Sequence, residues 1–148
     1  MLALLQRVSR ASVAVAGETV GAIDNGLLVF VAFDKRDNES VCARGVERAL
    51  AYRVFEDAQG QMNRSVLDVG GGVLLVPQFT LAADTRKGNR PGFSAAAAPE
   101  TARALFEHAA AVARRAPLRV ECGRFGANMD VRLVNRGPAT FLLRVDGK

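Results

Sequence analysis

Hydrophobic and polar residues alternate with a spacing of two near the start of the chain, which is typical of strands that bury one face. The strands predicted from this alternation are residues 2–8, 12–16 and 19–23, with a break at residues 9–11. Two later runs are almost wholly apolar, at residues 27–33 and 72–76, which predicts central strands buried on both faces. Shorter strands or sheet edges are predicted at residues 52–56, 65–69, 118–121, 129–134 and 141–145.

In two segments the apolar residues recur instead at spacings of three and four, which predicts amphipathic helices. The first helix runs to about Arg53 and starts after Asp37 or Asn38, either of which can cap it. The second opens at Pro99, since proline is favoured at the first helical position, and extends to about Arg115. Strands outnumber helices, and both helices are expected on one side of the sheet, so the pattern predicts an α+β fold.

The overall composition is that of a globular protein, with 49% hydrophobic residues among 148. A chain of this length buries one core, so we expect a single domain over residues 1–148. No apolar run approaches the roughly 18 residues needed to cross a membrane, and the opening apolar run is too short for a signal peptide. We therefore expect a cytoplasmic protein with no membrane partner.

The net charge is +5, and most of the positive charge is arginine. The planar guanidinium suits phosphate, so a polyanionic partner is one interpretation, although many proteins that bind no nucleic acid carry a similar charge. The two cysteines, Cys42 and Cys122, are too few for a disulfide framework. We expect both thiols to be reduced and buried.

The end of the second central strand is the main candidate for a functional site. Val76 and Pro77 lead there into Gln78, Phe79 and Thr80. Backbone N–H groups that leave the strand ladder at these three residues can donate to a carbonyl or phosphate oxygen of a ligand. The alternative interpretation is a core strand with a proline at its edge.

A polar, glycine-rich loop follows this strand end over residues 82–93. Its cations Arg86, Lys87 and Arg90 place positive charge beside the candidate site. That position favours a substrate with a phosphate backbone.

The chain has few of the residues used in common hydrolytic sites. Its one histidine, His108, is expected on the flank of the second helix and in contact with solvent, so a Ser-His-Asp or Cys-His arrangement is not supported. Two cysteines far apart in sequence and no second histidine do not form a typical zinc motif. We expect no metal and no cofactor, and any hydrolysis would rely on backbone donors, hydroxyl groups or groups of the substrate.

A second stretch, from Asn135 through Gly137 and Pro138, lies between two predicted strands and by itself indicates a hairpin connection. It can be considered together with four other segments. These read LLQRVSRASVAVAGETVG at the start, then PQFTL with ADTRKGNRPGFS, and finally GRFGANM. In this combination, over essentially the whole chain and in order, the sequence resembles the bacterial D-aminoacyl-tRNA deacylase family.

The resemblance implies a layered β-β-α sandwich with barrel-like mixed sheets. It also implies hydrolysis of the ester of D-aminoacyl-tRNA, including D-Tyr-tRNA(Tyr), and of mischarged Gly-tRNA(Ala), with rejection of L-aminoacyl-tRNA. In this family neither a metal nor a histidine base is used. Backbone N–H groups around Gln78, Phe79 and Thr80 would hold the substrate carbonyl, while the 2′-hydroxyl of the terminal adenosine assists attack by water. We expect Thr80 to position the substrate, because no base is available to activate its hydroxyl.

By the same resemblance, Gly137 and Pro138 form the family's Gly-cisPro element, preceded by Asn135. This element is inserted from one subunit of a homodimer into the active site of the other. Its carbonyl oxygens would face the α-carbon of the amino acid and leave no room for an L side chain. The partners implied are a second copy of the chain and the aminoacylated 3′ end of tRNA.

Two positions depart from the bacterial pattern, which usually has serine where this chain has Pro77 and aspartate where it has Asn128. Pro77 raises the question of a broader substrate range, and Asn128 is expected to change only a local hydrogen bond. The competing interpretations are a non-catalytic RNA-binding module on the same fold and a metal-dependent hydrolase.

Overall fold

The computed structural model describes residues 1–147, so Lys148, the last residue of the expected domain, lies outside it. The strands are β1 Leu2–Val15, β2 Glu18–Ile23, β3 Gly26–Ala32, β4 Phe55–Glu56, β5 Met62–Arg64, β6 Gly72–Pro77, β7 Val120–Cys122 and β8 Asp130–Arg144. The helices are α1 Glu39–Ala51, α2 Val66–Val69 and α3 Pro99–Ala113, with a 3₁₀ turn at Phe79–Ala82.

One mixed sheet contains six of these strands, and five of them follow the order β2-β1-β3-β6-β7. β2 and β3 pair with successive halves of one edge of β1, and the sixth strand, β8, pairs with the opposite edge. β1 and its neighbours pair antiparallel, whereas β3, β6 and β7 run parallel to one another. Strands β4 and β5 form a separate small hairpin.

β1 is a single strand, so the prediction of two strands separated at residues 9–11 is wrong. Its first half pairs with β3 as far as Val8, and its second half pairs with β2 from Ala11. β8 pairs with β1 along almost its whole length and holds the two halves together. The polar break in the sequence therefore marks the place where β1 changes its neighbour, while the strand itself continues.

The sheet is covered on both faces, as the β-β-α layering requires. On one face α1 and α3 pack together over a core that includes Leu5, Val29 and Leu75. On the other face the sheet curls over itself, and Val13 and Leu74 belong to a second buried cluster. The α+β fold with barrel-like sheets and its two main helices on one side is confirmed.

The parallel strands β3 and β6 begin in very close contact. A Cβ atom built on Gly26 would lie 1.9 Å from the carbonyl oxygen of Gly72. No side chain fits at that distance, so only glycine allows the two strands to start side by side.

The helix starts follow the predicted capping chemistry. Asn38 caps α1, since its side-chain oxygen accepts a hydrogen bond from the Val41 N–H at 3.0 Å. Asp37 instead forms an ion pair with the Met1 amine at 2.6 Å. α3 starts at Pro99 as predicted.

Residues 65–69 form a capped helical turn, so the strand predicted there is wrong. The Ser65 hydroxyl accepts from the Asp68 N–H at 3.2 Å, while the Asp68 carboxylate accepts from the Ser65 N–H at 2.7 Å. This reciprocal capping box closes α2 locally, and Gly70 ends it in the left-handed region. A capping box of serine and aspartate outweighs the apolar spacing of so short a segment.

No helix within residues 1–147 is long and apolar enough to span a membrane.

Candidate active site

β6 ends at Pro77, and the chain then turns into the 3₁₀ turn that starts at Phe79. The Gln78 N–H is still part of the sheet, because it donates to the Val31 carbonyl at 2.8 Å. The expectation that this N–H is available to a ligand is therefore wrong. The Phe79 and Thr80 N–H groups, in contrast, make no hydrogen bond to any atom of residues 1–147. Two adjacent donors thus remain at the strand end.

The side chains at this strand end face outward. Phe79 is 58% exposed and its ring lies 5.1 Å from that of Phe93, centroid to centroid. The Gln78 side-chain amide donates a hydrogen bond to the Thr80 hydroxyl. In the described part of the chain no carboxylate or imidazole is bonded to that hydroxyl, so the structure supplies no base to activate it.

A pocket of about 460 Å³ opens beside the strand end, within the size range of small-molecule sites. It is assembled from the end of β6, the start of α3 and the segment between β7 and β8. The lining residues are Val76, Pro77, Gln78, Phe79, Ala97, Pro99, Ala102, Phe125, Gly126, Ala127, Asn128, Met129 and Val131. Both departures from the bacterial pattern, Pro77 and Asn128, therefore lie in its wall.

The Gly137-Pro138 segment projects from β8 as a bulge. Thr140 pairs with Gln6 and Asn135 pairs with Val8, so four residues of β8 face a single residue of β1. The two strands predicted at residues 129–134 and 141–145 are thus parts of one strand, and the hairpin expected between them is this bulge. Gly137 and Pro138 are exposed, and their peptide bond is cis.

Two side chains hold the base of the bulge. The Asn135 amide donates to the carbonyls of Arg7 and Ala139 at 3.0 and 3.2 Å. The Arg7 guanidinium, only 8% exposed, donates to the carbonyls of Arg136 and Val54 at 3.1 and 2.9 Å. The bulge is therefore tied to both its own strand and the segment before β4.

Within one chain the bulge and the pocket are far apart. Asn135 lies opposite Val8, and Val8 lies opposite Gly26. Gly26 pairs in turn with Gly72, the first residue of β6, whereas the pocket is at the other end of that strand, at Pro77. Five residues of strand separate the two ends by about 16 Å. A single chain does not bring its own Gly137-Pro138 to Gln78, Phe79 and Thr80.

The family model described as D-Tyr-tRNA(Tyr) deacylase matches residues 4–144. The chain belongs to this family. The D-aminoacyl-tRNA deacylase of Pseudomonas aeruginosa (strain LESB58) is 58% identical over 143 residues, which cover 97% of this chain and 99% of that protein. The D-aminoacyl-tRNA deacylase of Janthinobacterium sp. (strain Marseille) is 56% identical over 145 residues, which cover 98% of this chain and 97% of that protein.

Solved structures show the same fold. One described as c-Myc DNA Unwinding Element Binding Protein has a TM-score of 0.93 at 37% identity and covers 99% of this chain and 100% of that chain. Another, described as a probable eukaryotic D-amino acid tRNA deacylase, has a TM-score of 0.84 at 20% identity, covers 96% of this chain and 97% of that chain, and supports the fold alone.

In this member of the D-Tyr-tRNA(Tyr) deacylase family, the expected tRNA contacts lie apart from the 460 Å³ pocket. Arg86, Lys87 and Arg90 line a separate groove on the loop closed by the Asp84–Gly92 bridge. Arg86 is bonded to Asp84, with Nη2 2.7 Å from the carboxylate, and this hydrogen bond holds the pKa of Asp84 far below its usual range. The charge of Arg86 is therefore largely balanced within the loop, which leaves Lys87 and Arg90.

Neither cysteine of this deacylase family member lies in the pocket wall. Cys42 is buried, and its thiol donates to the Leu105 carbonyl at 3.3 Å. Burial raises the pKa of Cys42 to about 12. Cys122 is half-buried, and its pKa is raised by burial as well. Both are free thiols, but the expectation of burial is confirmed only for Cys42.

Sequence reasoning assigned no role to three residues that shape these features. Phe125 and Met129 form part of the pocket wall, and the only signal for them was the GRFGANM motif that contains both. Arg7 was missed because an arginine in an alternating strand gives no sign of being buried. Its burial depends on carbonyl groups that reach it from distant segments.

Proposed function

We propose that this chain hydrolyses the ester bond of D-aminoacyl-tRNA, releasing the free D-amino acid and tRNA, and so acts in chiral proofreading. Family membership over nearly the whole chain supports the activity. The pair of unbonded N–H groups at Phe79 and Thr80 beside the pocket supports this strand end as the proposed site. We further propose a cytoplasmic location, where charged tRNA is used.

In the proposed reaction the ester carbonyl oxygen accepts hydrogen bonds from the Phe79 and Thr80 N–H groups. Water attacks the carbonyl carbon, negative charge develops on the carbonyl oxygen, and the two donors stabilise it. The bond to the ribose 3′-oxygen then breaks, and the proton released by water ends on that oxygen, assisted by the neighbouring 2′-hydroxyl. The reaction needs no cofactor, and we propose that it needs no metal.

Thr80 is proposed to position the substrate rather than to attack it. Its hydroxyl already accepts a hydrogen bond from the Gln78 amide, which fixes its orientation. A hydroxyl without a neighbouring base is a weak nucleophile.

Rejection of L-aminoacyl-tRNA is assigned to Gly137 and Pro138 of a second copy of the chain. Three observations support a homodimer with shared sites. The bulge is exposed, it is held firmly by Asn135 and Arg7, and it lies too far from the pocket of its own chain. Backbone placed against the α-carbon excludes an L side chain, whereas a D side chain points away. Glycine has no side chain to exclude, so Gly-tRNA(Ala) is a substrate on the same proposal.

The test is release of amino acid from D-Tyr-tRNA, L-Tyr-tRNA and Gly-tRNA(Ala), each with and without chelator. We expect hydrolysis of the D and glycyl substrates alone, at rates that chelation does not change. A non-catalytic RNA-binding module would instead bind all three without release. A metal-dependent hydrolase would lose its activity with the chelator.

A further inference from the structure

Arg103, on the exposed side of α3, lies over the ring of Phe125. Its guanidinium carbon is 4.9 Å from the ring centroid, a cation–π distance. Phe125 is half-buried and is supported from below by Phe106, with ring centroids 6.4 Å apart. The arginine is therefore held on an aromatic platform that is itself fixed to the core.

This position is at the rim of the 460 Å³ pocket. Phe125 and Gly126 both line the pocket, and so does Ala102, the residue before Arg103. A Cβ atom built on Gly126 would lie 3.5 Å from Nη2 of Arg103, so the guanidinium extends along that edge. Arg103 itself does not line the pocket. The Arg103 guanidinium therefore lies at the entrance of the pocket and does not occupy its interior.

The donors of Arg103 are not used by the protein. Glu100 and Glu107 stand three residues before and four residues after it, spacings at which ion pairs form on helices. Over residues 1–147, Arg103 nevertheless forms no salt bridge and no hydrogen bond. The side chain lies on the ring, with guanidinium N–H groups available to an external acceptor.

We propose that Arg103 binds the backbone phosphate that joins the last two nucleotides of the tRNA. This inference rests on the proposed function, in which the ester sits at Phe79 and Thr80, and it adds that the terminal nucleoside occupies the adjoining pocket. The first charged group of the tRNA outside the pocket is then that phosphate, which would lie at the pocket rim beside Arg103. A guanidinium offers two parallel N–H donors to phosphate oxygens, and stacking on Phe125 fixes its orientation before binding. Arg103 is a positioning residue for a polynucleotide substrate.

The experiment compares D-Tyr-tRNA with 3′-O-(D-tyrosyl)adenosine, which has the same ester and no phosphate. Arg103→Ala should raise KM for D-Tyr-tRNA about three- to fivefold with little change in kcat, because exposed charge contacts are of modest strength. It should leave KM for the tyrosyl adenosine unchanged. Arg103→Lys keeps the charge but loses the two parallel N–H donors and the stacking, so its KM for D-Tyr-tRNA should lie between those of wild type and Arg103→Ala, with KM for the tyrosyl adenosine unchanged.

Two further measurements sharpen the comparison. The slope of log KM against log salt for D-Tyr-tRNA should fall by about 0.7 in Arg103→Ala, the value for one phosphate contact on a single strand. The matched control is Arg115→Ala, which removes the same charge about 18 Å further along the helix direction and should leave both KM and slope nearly unchanged.

Each contrary result has a distinct meaning. An active wild type with unchanged KM for D-Tyr-tRNA in Arg103→Ala overturns the inference alone. Equal increases of KM on both substrates also overturn it, since Arg103 would then act through the pocket wall. If Arg103→Lys is as impaired as Arg103→Ala, charge is not what binds the tRNA and the inference fails. A wild type inactive on both substrates overturns the proposed function, and the inference with it.

Discussion

Gly137→Val separates the fold of one chain from the site that two chains are proposed to share. A Cβ atom built on Gly137 meets only one neighbour, Asn135 Oδ1 at an ordinary contact distance of 3.6 Å, and the residue is exposed. Its φ angle is outside the left-handed region, so the backbone accepts a side chain. The substitution should therefore change the free energy of unfolding by less than about 0.5 kcal/mol.

The effect on activity should be much larger. In the shared site the new side chain would project into the space of the bound amino acid in the partner subunit. Forcing extra methyl groups into a filled space costs about 1–3 kcal/mol, so kcat/KM for D-Tyr-tRNA should fall by roughly 5- to 150-fold. Urea unfolding and amino acid release, measured on the same preparation, give the two quantities.

Complementation tests whether the effect acts across subunits. Phe79→Pro removes one of the two unbonded N–H donors. Phe79 is the first residue of the 3₁₀ turn, a position where proline is tolerated, so the fold should be kept while the variant by itself is nearly inactive. Mixed with Gly137→Val, it supplies an intact bulge to the intact strand end of the other chain. Random exchange then gives one working site in half of the dimers, or about a quarter of wild-type activity. Subunit exchange is verified by mass spectrometry. If the exchanged mixture then recovers no activity, the shared site is refuted. Full activity of Gly137→Val alone would refute it as well.

Three other substitutions test separate parts of the site. Thr80→Ala should keep its single-turnover rate within about tenfold of wild type, or about 1.4 kcal/mol of activation free energy, while wild type should not hydrolyse a 2′-deoxy substrate. An inactive Thr80→Ala together with normal hydrolysis of the 2′-deoxy substrate would make the Thr80 hydroxyl the catalyst. Pro77→Ser should change the rate on D-aminoacyl-tRNA only modestly and leave L-aminoacyl-tRNA uncleaved; cleavage of L-Ala-tRNA by wild type but not by Pro77→Ser would show instead that Pro77 relaxes selectivity. Arg7→Ala should lower the free energy of unfolding by about 3 kcal/mol, because it leaves the buried Val54 carbonyl without its donor, and a loss below about 1 kcal/mol in urea unfolding would contradict this assignment.

Local patterns predicted several elements correctly. The Asn38 cap and the Pro99 start depend on residues within one turn of the chain, and the continuous apolar runs of β3 and β6 are typical of strands buried on both faces. The strand predicted at residues 65–69 was wrong, because two local signals in that segment disagree. Its apolar spacing favours a strand, but the Ser65–Asp68 capping box closes a helical turn that this spacing does not show.

The sequence by itself determined the fold class and the family resemblance, and it predicted the strand end as a candidate place for chemistry. Only the tertiary structure decided which groups remain available there. Whether the Gln78 N–H is free depends on Val31 in a neighbouring strand, and whether Arg7 is buried depends on Val54, far away in sequence. Hydrogen bonds between segments distant in sequence form only when the sheet assembles, and no local pattern encodes them. The same assembly separates the Gly137-Pro138 bulge from the pocket of its own chain.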